Sequence, residues 1–280
     1  TGIIMLAKLF ISLVRVSPFF QKRVWKWWYQ RLGKRAQDSG WTFMNYGYKN
    51  NRDKRLELDS KDEKDRMFIQ LYNYVVSQIS IEGLKILEIG SGRGGGASFV
   101  AKYYKPLSII GLDYSASAVA LSNRLHKNVN NLSFIRGDAE NLPFEDESFD
   151  VVINVESSHC YGNMQEFVSE VYRVISPGGY FSWADLRAKE MVIDTDKIFK
   201  NALFKCKSES DITSNVVSAL DEIHEAKIQM IERHVPKTLR NAFMDFAGAK
   251  GSKIYNAFKK RDAVYPVSYT HLRAHETPAN

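Results

Sequence analysis

The sequence predicts an α/β fold, a mostly parallel sheet with helices on both faces. Three observations carry that reading. From residue 84 onward, short apolar runs rich in β-branched residues alternate with segments whose apolar residues recur at helical spacing. The first run, Leu84–Ile89, passes directly into Gly90-Ser91-Gly92-Arg93-Gly94-Gly95-Gly96 and then into Ala97, Phe99, Val100 and Tyr103 at helical spacing. That is the strand–turn–helix opening of a βαβ unit, and its turn brings bare backbone N–H groups close to a ligand. A later run, Phe149–Val155, is apolar almost without interruption, as a strand covered on both faces requires.

The elements follow in order. Residues 1–35 hold eight of the 39 basic residues and none of the 32 acidic ones, so this arm carries +8 and the remainder −1 of the formal +7. The basic balance describes one arm and argues against a nucleic-acid-binding body. Ile3–Phe20 is apolar but broken by Lys8, Arg15 and Pro18, and too short to span a bilayer. Phe19, Phe20, Val24, Trp25, Trp27, Trp28 and Tyr29 follow among cations. Two readings fit the arm: a helix packed on the core with its cations in water, or an interfacial helix that makes peripheral membrane contact and helps collect a lipid. Its acid-free start also imitates an organellar transit peptide, and Met5 suggests that residues 1–4 precede the true start. Residues 1–58 as a whole form a cap and not a separate domain.

Met44-Asn45-Tyr46-Gly47-Tyr48 is an aromatic loop, able to close over a ligand or simply to pack as a turn. Ser60 is placed to cap a helix whose apolar face is Met67, Phe68, Leu71, Val75, Val76 and Ile79. The second strand, Ser108–Asp113, ends in a carboxylate 19 residues after Gly94, and Ser115 is placed to cap the helix after it. The third strand, Leu132–Ile135, leads into Arg136-Gly137-Asp138-Ala139-Glu140. The fourth, Phe149–Val155, leads into Glu156-Ser157-Ser158-His159-Cys160-Tyr161. A helix from about Gln165 to Ile175 stops at Pro177-Gly178-Gly179, and a fifth strand, Tyr180–Ala184, ends at Asp185. These acids and the imidazole all fall at C-terminal strand ends, the edge where open α/β sheets bind ligands. Residues 188–262 are helix-rich with one strand near Leu203–Ser208, and a last strand is expected over Ala263–Pro266.

At 280 residues and 44% apolar, the chain can bury one large core. Two cysteines give no disulfide framework, which suits a reducing, cytoplasmic compartment, with a peripheral place at the inner face of a membrane if the arm binds one. No cluster of His, Cys and acids has metal-ligand spacing, so no metal is expected.

Two fingerprints overlap at the glycine turn. Gly90-x-Gly92-x-x-Gly95 fits a dinucleotide loop, and Glu88-x-Gly90-x-Gly92-x-Gly94 fits the nucleotide loop of class I S-adenosylmethionine (SAM) methyltransferases. A carboxylate before the first glycine suits a cationic amino acid better than a pyrophosphate, and no second glycine turn supplies a nicotinamide half. Glu88-x-Gly-x-Gly-x-Gly, Asp113, Gly137-Asp138-Ala139-Glu140 and Pro177-Gly178-Gly179 stand in the order and spacing of the class I methyltransferases, which the chain resembles. Longer strings resemble the phthiotriol/phenolphthiotriol dimycocerosate methyltransferases over about Lys22–Val264: Arg136–Phe144, Asp146–Val152, Asn154-Val155-Glu156, Ser158–Tyr161, Pro177–Phe181, Ala184–Arg187, Arg23-Val24-Trp25 and Arg233-His234-x-Pro236.

The resemblance implies a Rossmann-like, seven-stranded sheet with an antiparallel last strand, a methyltransferase domain over residues 59–266, and a substrate lid over 188–262. It implies SAM as cofactor and O-methylation of a hydroxyl on a hydrophobic, polyketide-derived lipid or a glycoside-like small molecule. Cofactor contacts are expected from Glu88, Gly90, Gly92, Gly94, Asp113, Tyr114, Asp138, Ala139, Asn154 and Glu156, and acceptor contacts from Tyr46, Tyr48, Tyr161 and His234. Methylation at carbon or nitrogen, for instance of a sterol-like lipid, and an NAD-dependent dehydrogenase are the alternatives.

A neutral alcohol is a poor nucleophile, so a base beside the acceptor oxygen helps. His159 is the best placed, with Asp185 on the neighbouring strand end to hold its tautomer, as carboxylates do in triads. Sugar O-methyltransferases carry a similar His and Asp, which supports the pairing by analogy. The competing reading has His159 lining the adenosine pocket and Asp185 paired with Arg187. His234 is a rival base; Cys160 reads as a small apolar filler; His126 and His224 are assigned nothing.

Val267–Thr277 resembles the translation of a transposase sequencing adapter, so 267–280 reads as a cloning or assembly remnant, and His271 and His275 are not site candidates. Val267–Thr270 are expected to complete the last strand by chance, with a distortion at Pro266 and no ordered element from about Leu272 onward.

Overall fold

The centre of the sheet joins the runs that the sequence marks as apolar. The computed structural model describes residues 41–272 except 236, 238 and 239. In it β1 (Lys85–Ile89) pairs in parallel with β2 (Ser108–Asp113) on one side and β4 (Phe149–Val155) on the other. Beyond β2 lies β3 (Leu132–Arg136); beyond β4 lies β5 (Ile175–Ala184). Strand β9 (Pro266–His271) then inserts antiparallel between β5 and β7 (Lys205–Asp211), giving the order β3-β2-β1-β4-β5-β9-β7. This is the mostly parallel seven-stranded sheet with an antiparallel last strand that was expected.

Alternate residues of the central strands feed two cores, which is why these strands are apolar throughout. Ile86, Val151 and Ile153 pack with Ile69, Leu71 and Val75 of α1 (Arg66–Val76) and with Ala97 and Val100 of α2 (Gly95–Tyr103). Leu87, Ile89 and Val152 pack with Phe167 and Val171 of α4 (Met164–Val174) and Phe199 of α5 (Val192–Asn201). Between them in sequence, α3 (Ala116–Leu125) starts as expected: Ser115 Oγ accepts the Ala118 N–H at 3.3 Å. After β7 come α6 (Thr213–Glu222), α7 (His224–His234), α8 (Arg240–Phe246) and α9 (Lys253–Lys260). Ile231 of α7 and Phe243 of α8 form a small core of their own with Ala247.

Four expectations change. Ser60 caps nothing; a short turn of 3-10 helix, Glu63–Asp65, leads into α1, and Arg66 Nε is held by Glu63 at 2.7 Å. Helix α1 ends at Val76, so Ile79 lies beyond it. Helix α4 stops at Val174, and Ile175 already pairs with Phe149; the register then shifts across Pro177-Gly178 before Tyr180 meets Val151. Ala263–Pro266 is not one strand. Ala263–Val264 (β8) pairs with Arg187–Ala188 (β6) in a separate two-stranded sheet, Tyr265 turns fully into the core, and only Pro266 enters the main sheet.

The adapter-like residues Val267–Thr270 are buried in β9, and pairing extends one residue further, His271 standing opposite both Tyr180 and Lys205. The register irregularity falls on β7, between Cys206 and Ser208, and not at Pro266. Leu272, expected to be unordered, is buried in the second core, and its N–H donates to Gly179 O at 3.0 Å. The basic arm and the tail from 273 lie outside the described residues. Among the described residues no helix is long and apolar enough to cross a membrane.

Candidate active site

A cavity opens at the C-terminal ends of β1, β2 and β4, where the strand order reverses direction. Its lining joins the glycine turn to Asp113, Tyr114, Asp138 and Ala139, to Glu156, His159, Cys160 and Tyr161, and to the segment Thr42–Tyr46 and Phe246. That segment is strapped over the turn: Arg93 Nη1 donates to Trp41 O at 3.0 Å and Gly95 N–H to Thr42 O at 3.3 Å. Gly90, Gly92 and Gly94 have φ of 78°, 55° and 79°, and a Cβ at Gly94 would lie 2.4 Å from the Phe134 ring, so this turn requires glycine.

Asp113 is locked before any ligand arrives. Its Oδ2 accepts the Gly92 N–H at 2.9 Å and its Oδ1 the Ser115 N–H at 2.8 Å. Burial pushes its carboxyl up to about 6 against those two bonds. Asp138 takes the Glu140 N–H at 3.1 Å.

Glu88 and Asn154 lie one layer deeper than the cavity wall. Tyr72 covers Glu88, its hydroxyl donating to Oε1 at 2.6 Å. Burial lifts the Glu88 carboxyl to about 7, opposed by the Tyr72 bond and the Ala97 N–H. Asn154 Nδ2 donates to Ile89 O at 2.9 Å and to Ser157 Oγ at 2.8 Å. Glu88 Oε2, Ser91 Oγ and Asn154 Oδ1 are all buried without a hydrogen-bond partner. Ser91 lines the cavity, and with Glu88 and Asn154 close behind the wall this end is rich in oxygen, which fits a ligand that brings donors, such as the ammonium of SAM.

At the other end of the cavity Asp185 gathers its neighbours. Its Oδ1 lies 2.7 Å from His159 Nδ1, and its Oδ2 accepts the Ser158 hydroxyl at 2.6 Å and the His159 N–H at 2.8 Å. Arg187 Nη1 reaches the same Oδ2 at 3.0 Å, so Asp185 contacts both the imidazole and the guanidinium. Burial alone would raise the carboxyl, but the imidazole, the guanidinium and these bonds hold it well below its usual range. Burial likewise pulls on His159 in the neutral direction, and Asp185 outweighs it, leaving the imidazole well above its ordinary value. Glu156, in the left-handed region at φ 51°, takes the Tyr46 N–H and the Tyr265 hydroxyl on Oε2, each at 2.9 Å. Burial first, then the Asp185 charge, push it up to about 8, while the Tyr46 bond and His159 oppose them.

Tyr46 and Tyr161 line the cavity; Tyr48 and His234 do not. Tyr48 stacks on Tyr74 at 4.6 Å, and His234 is the exposed last residue of α7. Tyr72, Tyr265 and Lys227 escaped sequence reasoning. Tyr72 and Lys227 had a signal: Tyr72 falls on the apolar face of α1, and Lys227 interrupts the Ile223, Ile231 stripe at four-residue spacing. Tyr265 had none.

The family described as Methyltransferase domain matches residues 87–183. A phthiotriol/phenolphthiotriol dimycocerosates methyltransferase of Mycobacterium leprae is 37% identical over 233 residues, 83% of this chain and 86% of that one. A fatty-acid O-methyltransferase of Mycolicibacterium smegmatis is 33% identical over 252 residues, 90% of this chain and 89% of that one. The fold is also that of phosphoethanolamine N-methyltransferase 2 of Haemonchus contortus in complex with SAM, with a TM-score of 0.62 and 21% identity over 73% of this chain and 52% of that one. With a SAM-type glycine turn, a fixed carboxylate at the end of β2 and relatives matched along most of their length, the chain belongs to the class I SAM-dependent methyltransferases.

Proposed function

We propose that this enzyme transfers the methyl group of SAM to an oxygen of a hydrophobic, lipid-like acceptor, with His159 as general base and Asp185 as the residue that holds it. The observation that carries this reading is the buried Asp185 carboxylate 2.7 Å from Nδ1 of an imidazole that lines the cavity. The lipid class is supported by the relatives' names, which specify phthiotriol dimycocerosates and fatty acids, and by the apolar rings of Phe43, Tyr46, Tyr161 and Phe246 in the lining.

When bound, SAM supplies a methyl already activated on a sulfonium. Asp113 would hold the ribose hydroxyls, Asp138, Ala139 and Tyr114 the adenine end, and the turn at Gly90, Gly92 and Gly94 with Glu88 and Asn154 behind it the amino-acid end. Asp185 keeps the Nδ1 proton of His159 in place, so Nε2 is the ring nitrogen left for chemistry. Asp185 favours the charged imidazole, so the base role requires that the Nε2 proton first pass to water; a cation in the same cavity favours that release. The neutral Nε2 then takes the acceptor's hydroxyl proton as its oxygen attacks.

One observation favours a second reading. An imidazole whose Nδ1 lies 2.7 Å from a buried carboxylate is favoured in its charged form, and that suits an acceptor that is itself an anion, such as a fatty carboxylate, which needs no base. Incubation with methyl-labelled SAM and a panel of long-chain alcohols, polyketide alcohols and fatty acids, followed by mass spectrometry, separates the two. An ether product whose yield collapses in His159→Ala supports the base reading. An ester whose formation weakens as pH rises supports the anchor reading. Label on carbon or nitrogen overturns both.

A further inference from the structure

The C-terminus of α8 leaves two carbonyls that its own turn does not satisfy. Gly248, at φ 64°, donates its N–H to Asp245 O at 3.4 Å, and Ala249 donates to Met244 O at 2.9 Å. These are the two bonds of a Schellman turn. Phe246 O and Ala247 O lie beyond those two bonds, among the last carbonyls of the helix. Two side chains from elsewhere in the chain reach them: the Tyr46 hydroxyl donates to Phe246 O at 3.2 Å and Lys227 Nζ to Ala247 O at 2.6 Å.

Lys227 is 5% exposed, and its ammonium lies 5.9 Å from the ring centroids of both Tyr46 and Phe68. Burying an ammonium is unfavourable unless dipoles return the lost hydration, and a helix C-terminus flanked by aromatic faces does so. Tyr46 and Phe246 both line the cavity. Tyr46 also donates its N–H to Glu156, three residues before His159. A continuous set of bonds therefore runs from Lys227 through the end of α8 and Tyr46 to the tip of β4.

We propose that Lys227, with Tyr46, fixes the acceptor-side wall of the cavity. Lys227 is a positioning residue for methyl transfer: it acts through Phe246, governs how tightly a hydrophobic acceptor is held, and leaves cofactor affinity alone. The assignment rests on the reading that the cavity end bearing His159 and Phe246 receives the acceptor.

Lys227→Met keeps most of the stem and removes the cation. Three quantities are read on the full chain: the Kd of S-adenosylhomocysteine by calorimetry, hydrogen exchange of the Gly248 and Ala249 amides, and the Kd of 11-(dansylamino)undecanoic acid in the presence of S-adenosylhomocysteine. The expected result is an S-adenosylhomocysteine Kd within about twofold of wild type, exchange at both amides faster by about tenfold or more, and a fluorescent-acid Kd raised by about tenfold. Lys227→Arg, which keeps a cation, should recover part of both losses. Tyr46→Phe should move them in the same direction by a smaller factor, and it decides the matter if Lys227→Met does not fold. Unchanged exchange and probe binding would overturn the proposal. So would an equal loss of both ligands, the mark of general damage. Wild-type protein that binds S-adenosylhomocysteine but not the fluorescent acid defeats the lipid reading instead, and the exchange rates then judge the latch alone.

Discussion

His159 and Asp185 form an ion pair, Nδ1 to Oδ1 2.7 Å, in which the carboxylate is buried and the imidazole stays open to the cavity, and the same carboxylate neutralises Arg187, which is itself buried and stacks over the Trp183 ring at 5.0 Å. One acid therefore orients a cavity-lining imidazole and compensates a guanidinium inside the core. The two tasks separate on mutation, because His159 faces the cavity and Arg187 does not.

Removing the imidazole is the cleaner experiment. His159→Ala is expected to lower kcat by about 10²–10⁴-fold, the range for a lost general base, with SAM affinity nearly intact. Single-turnover kinetics and calorimetry measure the two quantities. Full-rate turnover would dismiss the base, and loss of SAM binding would mark His159 as a wall of the cofactor site.

Asp185→Asn acts on the fold as well. It leaves Arg187 buried without its counter-charge, a change on the scale of about 3–5 kcal/mol. Urea unfolding should register that loss, and the surviving folded protein should also turn over slowly because the tautomer of His159 is no longer fixed. A variant as stable as wild type would mean that Arg187 finds another partner.

Asp113→Ala should weaken SAM binding by about 1.5–3 kcal/mol, the scale of hydrogen bonds to a charged acceptor. Its two present bonds, to the Gly92 and Ser115 N–H groups, hold the glycine turn against the start of α3, so part of the loss comes from the turn itself. Unchanged affinity by calorimetry would remove Asp113 from the site.

Acid–base linkage gives a prediction with a definite sign. Burial lifts Glu88 from 4.5 to about 7, Asp113 from 3.8 to about 6 and Glu156 from 4.5 to about 8. A group whose folded pKa is raised gives stability that is complete below its unfolded pKa and is lost as pH rises through the folded one. His159, raised by Asp185, has the same sign. Asp185, lowered, acts oppositely but only below its unfolded value of 3.8, and Lys227, lowered to about 8, acts oppositely only above that. The ligand-free protein should therefore lose Tm steadily between about pH 5 and 8. SAM, a cation meeting these carboxylates, should raise Tm by more at the upper end of that interval. Thermal scans with and without SAM check both slopes, and a flat ligand-free profile would contradict the burial of these acids.

The fold was legible wherever a local pattern decides it. The run Leu84–Ile89, the glycines after it and the carboxylate at Asp113 are neighbours in sequence and in space, and the parallel sheet follows from them. His159 and Asp185 were legible as a pair because adjacent strand ends bring them together. What stayed hidden depends on long-range packing. Tyr48 and Tyr46 look alike in sequence, yet the turn at Gly47 sends one ring to Tyr74 and the other to the cavity. His234 sits in a string that resembles the family's, but the end of α7 holds it in solvent. Lys227 breaks the Ile223, Ile231 stripe, but nothing local says that it is buried with its ammonium on the end of α8. Val264 and Pro266 read as one strand, and nothing local announces that Tyr265 turns inward between them.

That inward turn ties the last strand to the site. Tyr265 is fully buried; its hydroxyl reaches Glu156 at 2.9 Å and its N–H donates to Thr213 Oγ1 at 2.8 Å. Tyr265→Phe should therefore leave the sheet intact but deprive Glu156 Oε2 of one of its two donors, at about 0.5–1.5 kcal/mol of stability, the net worth of one hydrogen bond, because the Tyr46 N–H still reaches the same oxygen. Ending the chain at Asp262 should do far more. It removes β8 and β9, so β5 and β7 lose the strand that fills the ladder between them, and buried N–H and C=O groups are left open along both. Loss of cooperative unfolding in the truncated chain, with a single transition retained in Tyr265→Phe, is the expected pair of results in urea titrations followed by circular dichroism. A truncated chain that still unfolds in one sharp transition would mean that β5 and β7 close on each other, and that β9, adapter-like residues included, is dispensable to the fold.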